Sequence, residues 1–361
     1  MSNVSLEMGI EEDLLQVSFT LVRFGAFVAN SLIFGAIPLL LLVLRPGFRA
    51  LGPESWRVGR LDLAARIEGL MRASLVASVV ATVLALLLQT ALVASLAGGE
   101  LRLESLETVL DTNFGTWNVL RILVLGALGV LLVNRLQVVS MSGIGEGEAR
   151  PGPVWWALWG VLALTLLATW SFSGHASVSS LVWLALINDI VHLGAGATWF
   201  AGIIVLAIAL PDAWQGRTVT ERTRMLSEVV SRFSMMALIA IAVVAATGTL
   251  NSFLNMETPR DLIDSGYGRV VLIKIGLFVV VVVLGAINHL QVRKRLAAAS
   301  SNGAVKDPYG LFRRTIAVEL VVGLLLMGST GLLVGLPRTK KTPPPQSAPA
   351  VTSVKQPDLP S

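Results

Sequence analysis

Long apolar runs separated by short polar connections dominate the pattern of this chain. Eight of the runs are long enough to cross the ~30 Å hydrocarbon core of a bilayer as helices. They cover residues 17–44, 70–97, 116–139, 153–173, 181–210, 232–255, 269–290 and 314–336. The runs are far longer than strands, and apolar and polar positions alternate poorly within them. The pattern therefore predicts an all-α, polytopic membrane protein with about eight transmembrane helices.

The composition agrees with this class, since 54% of the 361 residues are hydrophobic and only 14% are charged. The chain has no cysteine, which excludes disulfides and thiolate metal sites and leaves His, Met and carboxylates as possible metal ligands. The net charge is +5, but the basic residues lie mostly in short connections, where they set membrane topology. A nucleic-acid partner is therefore not implied.

The charges of the connections predict the orientation in the bilayer. The connections after the first, fifth and seventh runs are rich in arginine and lysine, whereas those after the second and sixth are acidic. Basic connections face the cytoplasm, so both termini should be external, with residues 1–16 as an acidic lead-in. The segment after the last run does not follow this rule, because it contains Arg338, Lys340 and Lys341. They lie in residues 337–361, a Pro- and Ser-rich segment that we expect to be disordered.

Short motifs recur in the same order in the two halves of the chain, which indicates an internal duplication. The matched motifs are Arg23-Phe-Gly-Ala with His192-Leu-Gly-Ala, Arg72-Ala-Ser-Leu with Arg232-Phe-Ser-Met, Phe114-Gly115 and Arg121 with Tyr267-Gly268 and Lys274, and Asn134-Arg-Leu with Asn288-His-Leu. Each half has four helices, so the halves should have the same orientation and be related by an axis along the membrane normal. The predicted repeats cover residues 17–173 and 174–336.

Two of the three histidines lie in the apolar stretch from Trp170 to Gly202. His175 lies in a short polar connection, while His192 lies eleven residues into the next helix, roughly 16 Å along its axis. Asp189 precedes His192 by three residues and therefore shares its helical face. A carboxylate beside an imidazole inside a membrane is by default a functional-site hypothesis. Asp189 either orients His192 or forms an ion pair with Lys274.

Most polar residues within the spans would lie between the external surface and the middle of the membrane. They are Arg23, Gln89, Arg121, His175, Asp189, His192, Asn251, Asn255, Met256 and Lys274. We therefore expect a polar vestibule that opens to the outside. A charge buried in lipid costs several kcal/mol, so the charged members should point inward and partly compensate each other. Alternatively, the basic members serve packing or topology and contact no ligand.

The motifs of the second half resemble those of the copper resistance protein D (CopD) family of bacterial inner-membrane proteins. They are Ser173-Gly-His-Ala176, Asp189-x-x-His192 with Trp199 and Gly202, Arg232-Phe-Ser, Thr247-Gly248, Tyr267-Gly268 with Lys274, and Glu319. The resemblance spans roughly residues 170–336, and the first half is similar to the family's N-terminal half. It implies copper homeostasis by transfer or uptake across the cytoplasmic membrane. It also implies a separate external partner of the CopC type that supplies copper.

With copper as the implied substrate, His175 and His192, helped by Met256, form a reasonable entry site for Cu(I) or Cu(II), since imidazole suits both states and thioether sulfur suits Cu(I). Alternatively, His175 caps a helix and His192 only satisfies a neighbour in the core. Glu319 is either an acceptor on the exit side or a salt-bridge partner of loop arginines. His289, beside basic residues, is expected at the cytoplasmic surface.

Two other functions stay open at this stage. Histidines on facing helices can bind haem axially, which would make the protein a b-type cytochrome, although His175 and His192 should lie at different depths. A membrane scaffold or sensor that does not transport is the other alternative. The sequence contains no Walker loop, nucleophile elbow, HExxH or CxxC motif, so we expect neither an enzyme nor a primary pump.

The predicted orientation can be tested by cysteine labelling, because the chain has no cysteine of its own. Cysteines that replace Ser179 and Ser265 should react with an impermeant thiol reagent in intact cells, whereas a cysteine that replaces Ser227 should react only after lysis. Labelling of the Ser227→Cys variant in intact cells would overturn the orientation.

Overall fold

A computed structural model describes residues 3–49, 53–96, 102–141, 152–174, 181–208, 218–288, Leu290 and 309–336 of the chain. Its helices are Asn3–Leu39 (α1), Arg45–Arg49 (α2), Pro53–Leu96 (α3), Leu103–Leu110 (α4), Asn113–Met141 (α5), Pro153–Ser173 (α6), Val182–Ile208 (α7), Val219–Asn255 (α8), Asp261–Asp264 (α9), Gly266–Ile287 (α10) and Tyr309–Gly335 (α11). None of the described residues forms a strand. The prediction of an all-α fold is confirmed.

Eight helical segments are long and apolar enough to cross a membrane. They are Leu14–Gly47, Ala65–Leu96, Asn113–Asn134, Pro153–Ser173, Val182–Ile208, Thr223–Asn255, Gly266–Ile287 and Phe312–Val334. They correspond one to one with the eight apolar runs, so the predicted multi-pass architecture is confirmed. The bounds differ by a few residues because helices continue past the apolar run into polar ends.

The first helix is longer than the first apolar run at both ends. It begins at Asn3, so the acidic lead-in is helical from that residue and continues directly into the span. Beyond Leu39 a π-helical turn, Leu40–Leu44, joins α1 to α2. Pro38 lies just before this turn and has no backbone N–H to donate to the preceding helical turn, which explains why the regular helix changes here. Residues 337–361 lie outside the described part of the chain.

The apolar surface of the bundle faces outward, as a lipid-exposed surface requires. On α10, for example, Ile273, Val279 and Val283 are at least half exposed, whereas Arg121 on α5 is only 2% exposed. Lipid cannot satisfy polar groups, so such groups gather inside the bundle. The interior of this fold is therefore where charged chemistry has to be sought.

Helices α1 and α7, the first helices of the two predicted repeats, pack against each other at the centre of the bundle. A methyl group at Gly35 would lie 2.6 Å from both the Ala197 carbonyl oxygen and the Ala201 side chain. The missing side chain at Gly35 thus lets the two backbones approach closely, as small residues do in membrane helix pairs. This contact places Arg23 and His192, at matched positions of the two repeats, on neighbouring helices.

The same local structure occurs at matched positions of both halves, where the short helices α4 and α9 precede α5 and α10. Gly115 N–H donates to the Thr112 hydroxyl at 3.1 Å, and Gly268 N–H donates to the Ser265 hydroxyl at 2.8 Å. A methyl group at either glycine would lie within 2.2 Å of a carbonyl oxygen of the short helix, at Val109 or Asp261. Glycine is therefore required at both junctions. The larger duplication stays a prediction.

This close approach predicts a specific loss of stability. The substitution Gly268→Ala should cost roughly 1–3 kcal/mol, as overpacking does, because the added methyl group would overlap the backbone of α9. We expect an apparent Tm several degrees lower in a thermal melt of detergent-purified protein. Gly276→Ala on the same helix is the matched control, since nothing lies within 4 Å of a methyl group there. Equal melting of the two variants would contradict the packing.

Candidate functional site

A cavity of about 520 Å³ lies inside the bundle. At one end its wall includes residues at helix termini on one side of the bundle, namely Phe114, Gly174, Asn255 and Tyr267. At the other end it reaches Val281, fifteen residues after the start of α10, and Leu326, nine residues before the end of α11. The cavity therefore runs from the helix ends, which we call the mouth side, to a floor at mid-bundle.

Most of the lining side chains are apolar, but the charged residues predicted from the sequence converge here. The predicted site residues that line the cavity are Arg23, Arg121, Asp189, His192, Asn251, Asn255 and Lys274. His175 lies outside the described residues, although it directly follows Gly174, which lines the cavity. Charged and polar residues from both halves thus meet in one space.

His192 is held by a hydrogen bond that determines its tautomer. Its Nδ1 lies 2.8 Å from the Thr247 hydroxyl oxygen, and the single proton of that hydroxyl is donated to the Val243 carbonyl oxygen at 2.6 Å. The hydroxyl must therefore accept the Nδ1–H of the neutral ring. Nε2 then carries the lone pair and makes no hydrogen bond of standard geometry with a described residue, although the Val244 carbonyl also interacts with the ring. A histidine in this state is ready to bind a metal ion.

A second polar contact fixes the register of α7 against α8 beside this histidine. The amide of the buried Asn188 donates to the Thr247 carbonyl oxygen at 2.9 Å and to Asn251 Oδ1 at 2.8 Å. Since Thr247 also contacts His192, one pair of helices positions both the imidazole and its partner. This arrangement pre-orients the imidazole before any ligand arrives.

Asp189 lies among polar groups from three other helices. Ser171 and Asn251 lie close enough to stabilise the charged carboxylate, although the Ser171 hydroxyl makes no hydrogen bond of standard geometry. Lys274 interacts with Asp189 electrostatically. Among the described residues, however, Asp189 forms neither a direct salt bridge with Lys274 nor a hydrogen bond with His192. The orienting group of His192 is Thr247 in this structure.

Each guanidinium nitrogen of Arg121 donates to a neutral group. Its guanidinium donates to Asn118 Oδ1 at 2.7 Å, to the Thr169 hydroxyl and carbonyl oxygens at 3.0 and 3.1 Å, and to the Ser173 hydroxyl at 3.2 Å. The guanidinium carbon also lies 3.8 Å from the centre of the Trp170 ring, a cation–π contact. Among the described residues, no carboxylate pairs with this charge.

The other two basic side chains of the wall are much less constrained. Arg23 lies 5.0 Å from the centre of the Phe19 ring and makes no hydrogen bond or salt bridge with any described residue. Lys274 likewise has no hydrogen bond or direct salt bridge within the described part of the chain. Both side chains line the cavity, so their N–H groups are available to whatever occupies it.

The remaining predicted residues that the structure describes do not line the cavity. Met256 follows the last residue of α8 and is not part of the lining, whereas Met327 of α11 is. The buried Glu319 accepts a hydrogen bond from Asn288 and forms no salt bridge with another described residue. His289 lies outside the described residues.

The sequence did not lead to an assignment for three potentially functional residues, which are Thr247, Met327 and Asn188. Thr247 was visible only as part of a family motif, because its role depends on how α8 faces α7. Met327 resembles any other methionine of an apolar helix until the fold places it in the wall. Asn188 precedes Asp189 and was hidden by the more conspicuous carboxylate.

Comparison with known proteins identifies related sequences in both halves. Residues 14–183 match the family model "Copper resistance protein D-like, N-terminal domain", and residues 227–333 match the model "Copper resistance protein D". No solved structure matches the chain.

Two curated relatives carry corresponding names. "Copper transport protein CutJ" of Bacillus subtilis (strain 168) is 27% identical over 243 residues, which are 67% of this chain and 39% of that protein. "Copper resistance protein D" of Pseudomonas syringae pv. tomato is 25% identical over 223 residues, 61% of this chain and 67% of that protein. This chain therefore corresponds to well under half the length of the Bacillus relative.

The contact of Thr247 with His192 makes a prediction about the imidazole itself. Thr247→Val removes the acceptor of Nδ1–H, and the loss of a hydrogen bond worth ~1 kcal/mol should shift the tautomer ratio about fivefold. Nitrogen-15 NMR of histidine-labelled protein measures this ratio, and the chain has only three histidines. Thr247→Ser should behave like the wild type. Thr249→Val, two residues along the same helix, should also change nothing. An unaltered ratio in Thr247→Val would refute the assigned hydrogen bond.

Proposed function

The chain belongs to the copper resistance protein D family, and from this membership we propose that it binds copper in the cavity and passes it across the cytoplasmic membrane. The observation that carries the proposal is His192, whose Nδ1 contacts the Thr247 hydroxyl and whose ring lines a cavity that extends to the helix ends. Neutral imidazole is a good ligand of Cu(I) and Cu(II). The proposed role is transfer of an ion, not catalysis of a reaction.

Two further ligands are proposed to complete the site. His175 follows directly on Gly174 of the cavity wall, and its imidazole would make the second nitrogen ligand. Met327 lines the same cavity and offers thioether sulfur, which suits Cu(I). In this proposal Met327 takes the part that the sequence had suggested for Met256.

The mouth is proposed to face the outside of the cell. The connections on that side contain α4 and α9 and are acidic, with Glu104, Glu107 and Asp111 in one and Glu257 and Asp264 in the other. External connections lack the positive charge that marks cytoplasmic ones. An acidic rim also raises the local concentration of cations, and a separate CopC-type partner would deliver copper there.

The route beyond the cavity floor is proposed to pass Glu319. This buried carboxylate lies seven residues from Leu326 of the floor on the same helix, about 10 Å further from the mouth. Its only hydrogen-bond partner among the described residues is Asn288, which directly follows α10. A carboxylate at this depth offers an acceptor for an ion that has left the histidine site.

Copper binding to purified protein tests the proposed site. The variants His192→Ala and His175→Ala should each lose at least about tenfold in copper affinity, since the remaining amide and carboxylate groups are poorer copper ligands than imidazole. His289→Ala should bind copper normally. A competition titration with a chromophoric copper chelator measures these affinities. Copper uptake into proteoliposomes should fall for the same two variants.

The two methionines provide a matched pair for this experiment. Met327→Leu should weaken Cu(I) binding and leave Cu(II) binding nearly unchanged, whereas Met256→Leu should affect neither. Undiminished copper binding by a folded His175→Ala, His192→Ala double variant would reject the site. A haem absorbance spectrum in the purified wild-type protein would instead favour the cytochrome alternative.

A further inference from the structure

The cavity wall carries more positive than negative charge. Its basic residues are Arg23, Arg121 and Lys274, and its only acidic residue among the described ones is Asp189. With His192 neutral, this leaves an excess of two positive charges inside a low-dielectric bundle. Such an excess repels a copper cation and attracts an anion. The charge of the wall and the charge of the proposed substrate therefore do not match.

The hydrogen-bonding capacity of the wall shows the same imbalance. Arg23 and Lys274 together have eight N–H donors, and none has a partner among the described residues. Two more lining residues, Asn30 and Trp170, have a buried side-chain N–H without a partner. Unpaired buried donors are rare in proteins. The group that all these donors lack is an acceptor, and an anion is the strongest acceptor.

The packing of the wall connects Arg121 through Trp170 to α1, the helix that carries Arg23. Trp170 packs against Phe27 of α1 with ring centres 4.7 Å apart, and its ring also contacts Arg121. Arg23 lies one helical turn before Phe27. Arg121 makes four hydrogen bonds to neutral partners and contributes a fixed positive charge, whereas Arg23 makes none with a described residue. Lys274 contributes free donors from α10.

We propose that the cavity binds a small monovalent anion, either chloride or a small carboxylate, through Arg23 and Lys274. The anion offsets the excess positive charge, so copper enters together with it or as its complex. Only this last step rests on the proposed copper function, because the anion site itself follows from the charges and donors of the wall. Asp189 reduces the affinity for the anion by partly neutralising Lys274.

Chlorine-35 NMR of purified protein in neutral detergent tests the proposal, because chloride that exchanges with a protein site broadens the chloride line. The wild-type protein should give excess broadening that saturates with chloride and is reversed by acetate. Arg23→Gln and Lys274→Gln should each bind chloride roughly tenfold more weakly, as expected for loss of a charged donor. Arg23→Lys should restore most of the binding. Asp189→Asn should bind several-fold more tightly.

Arg232→Gln is the matched control, because it removes the same charge from an arginine that is paired with Glu228 outside the cavity. It should behave like the wild type. Thermal melts establish that each variant is folded. Wild-type broadening in folded Arg23→Gln and Lys274→Gln would overturn the proposal. The proposal would also be overturned if anionic phospholipid co-purifies with the wild type, is absent from Arg23→Gln and blocks chloride binding. A lipid phosphate would then occupy the site.

Failure of this inference and failure of the copper function give different results. If His192→Ala retains chloride binding and the wild type binds no copper, only the proposed function fails. The opposite outcome has two parts. Copper binding depends on His192 but is the same with chloride, with acetate or with neither, and chloride gives no excess line broadening. In that case only the anion site fails.

Discussion

A charged side chain can stay within a membrane only if protein groups or water surround it, and the whole interior of this protein follows from that constraint. Arg121 meets it through neutral oxygens and an aromatic ring. Asp189 meets it through polar neighbours and the nearby Lys274. Arg23 and Lys274, which make no hydrogen bond with a described residue, meet it mainly by facing a cavity. The cavity is thus a condition for keeping these residues, as well as a place for a ligand.

The predicted repeats contribute unequally to this interior. Arg121 and Lys274 are matched positions, but Asn118, which holds Arg121, corresponds in spacing to Val271 before Lys274. Valine cannot accept a hydrogen bond, so the second half leaves its cation unbonded. Likewise Arg23 corresponds to His192, a group that can bind a metal ion. The first half thus supplies two cations to the cavity, of which only Arg121 is held by hydrogen bonds, and the second supplies an imidazole and an unbonded lysine.

Hydropathy was sufficient to predict the spans, because every apolar run long enough to cross a bilayer forms a helix. It also predicted that Arg23, Asp189, His192 and Lys274 would face inward, since lipid excludes charge. It did not predict the partner of His192. Thr247 lies 55 residues further along the chain, and only the rotation of α8 about its own axis decides whether its hydroxyl faces the ring.

The choice between Met256 and Met327 has the same cause. Sequence distance favoured Met256, which is near the other polar residues of α8, but Met256 does not line the cavity. Met327 reaches the wall because α11 packs against both α1 and α7. Hydropathy thus gives each helix its place in the membrane, whereas contacts between helices decide which of its faces lines the interior.

The packed floor of the cavity bears on the proton gradient across the membrane. The ring of Phe200, the residue after Trp199 of the cavity wall, packs against Gly323 of α11. A methyl group on Gly323 would lie 2.7 Å from this ring. Described helices are thus tightly packed below a space that extends to the mouth side. A water-filled pore would short-circuit the proton gradient, whereas a blind pocket lets ions reach the histidine without leakage. In the proposed transport, movement past the floor would require the helices to rearrange for every ion, so the throughput would be that of a carrier and not of a channel.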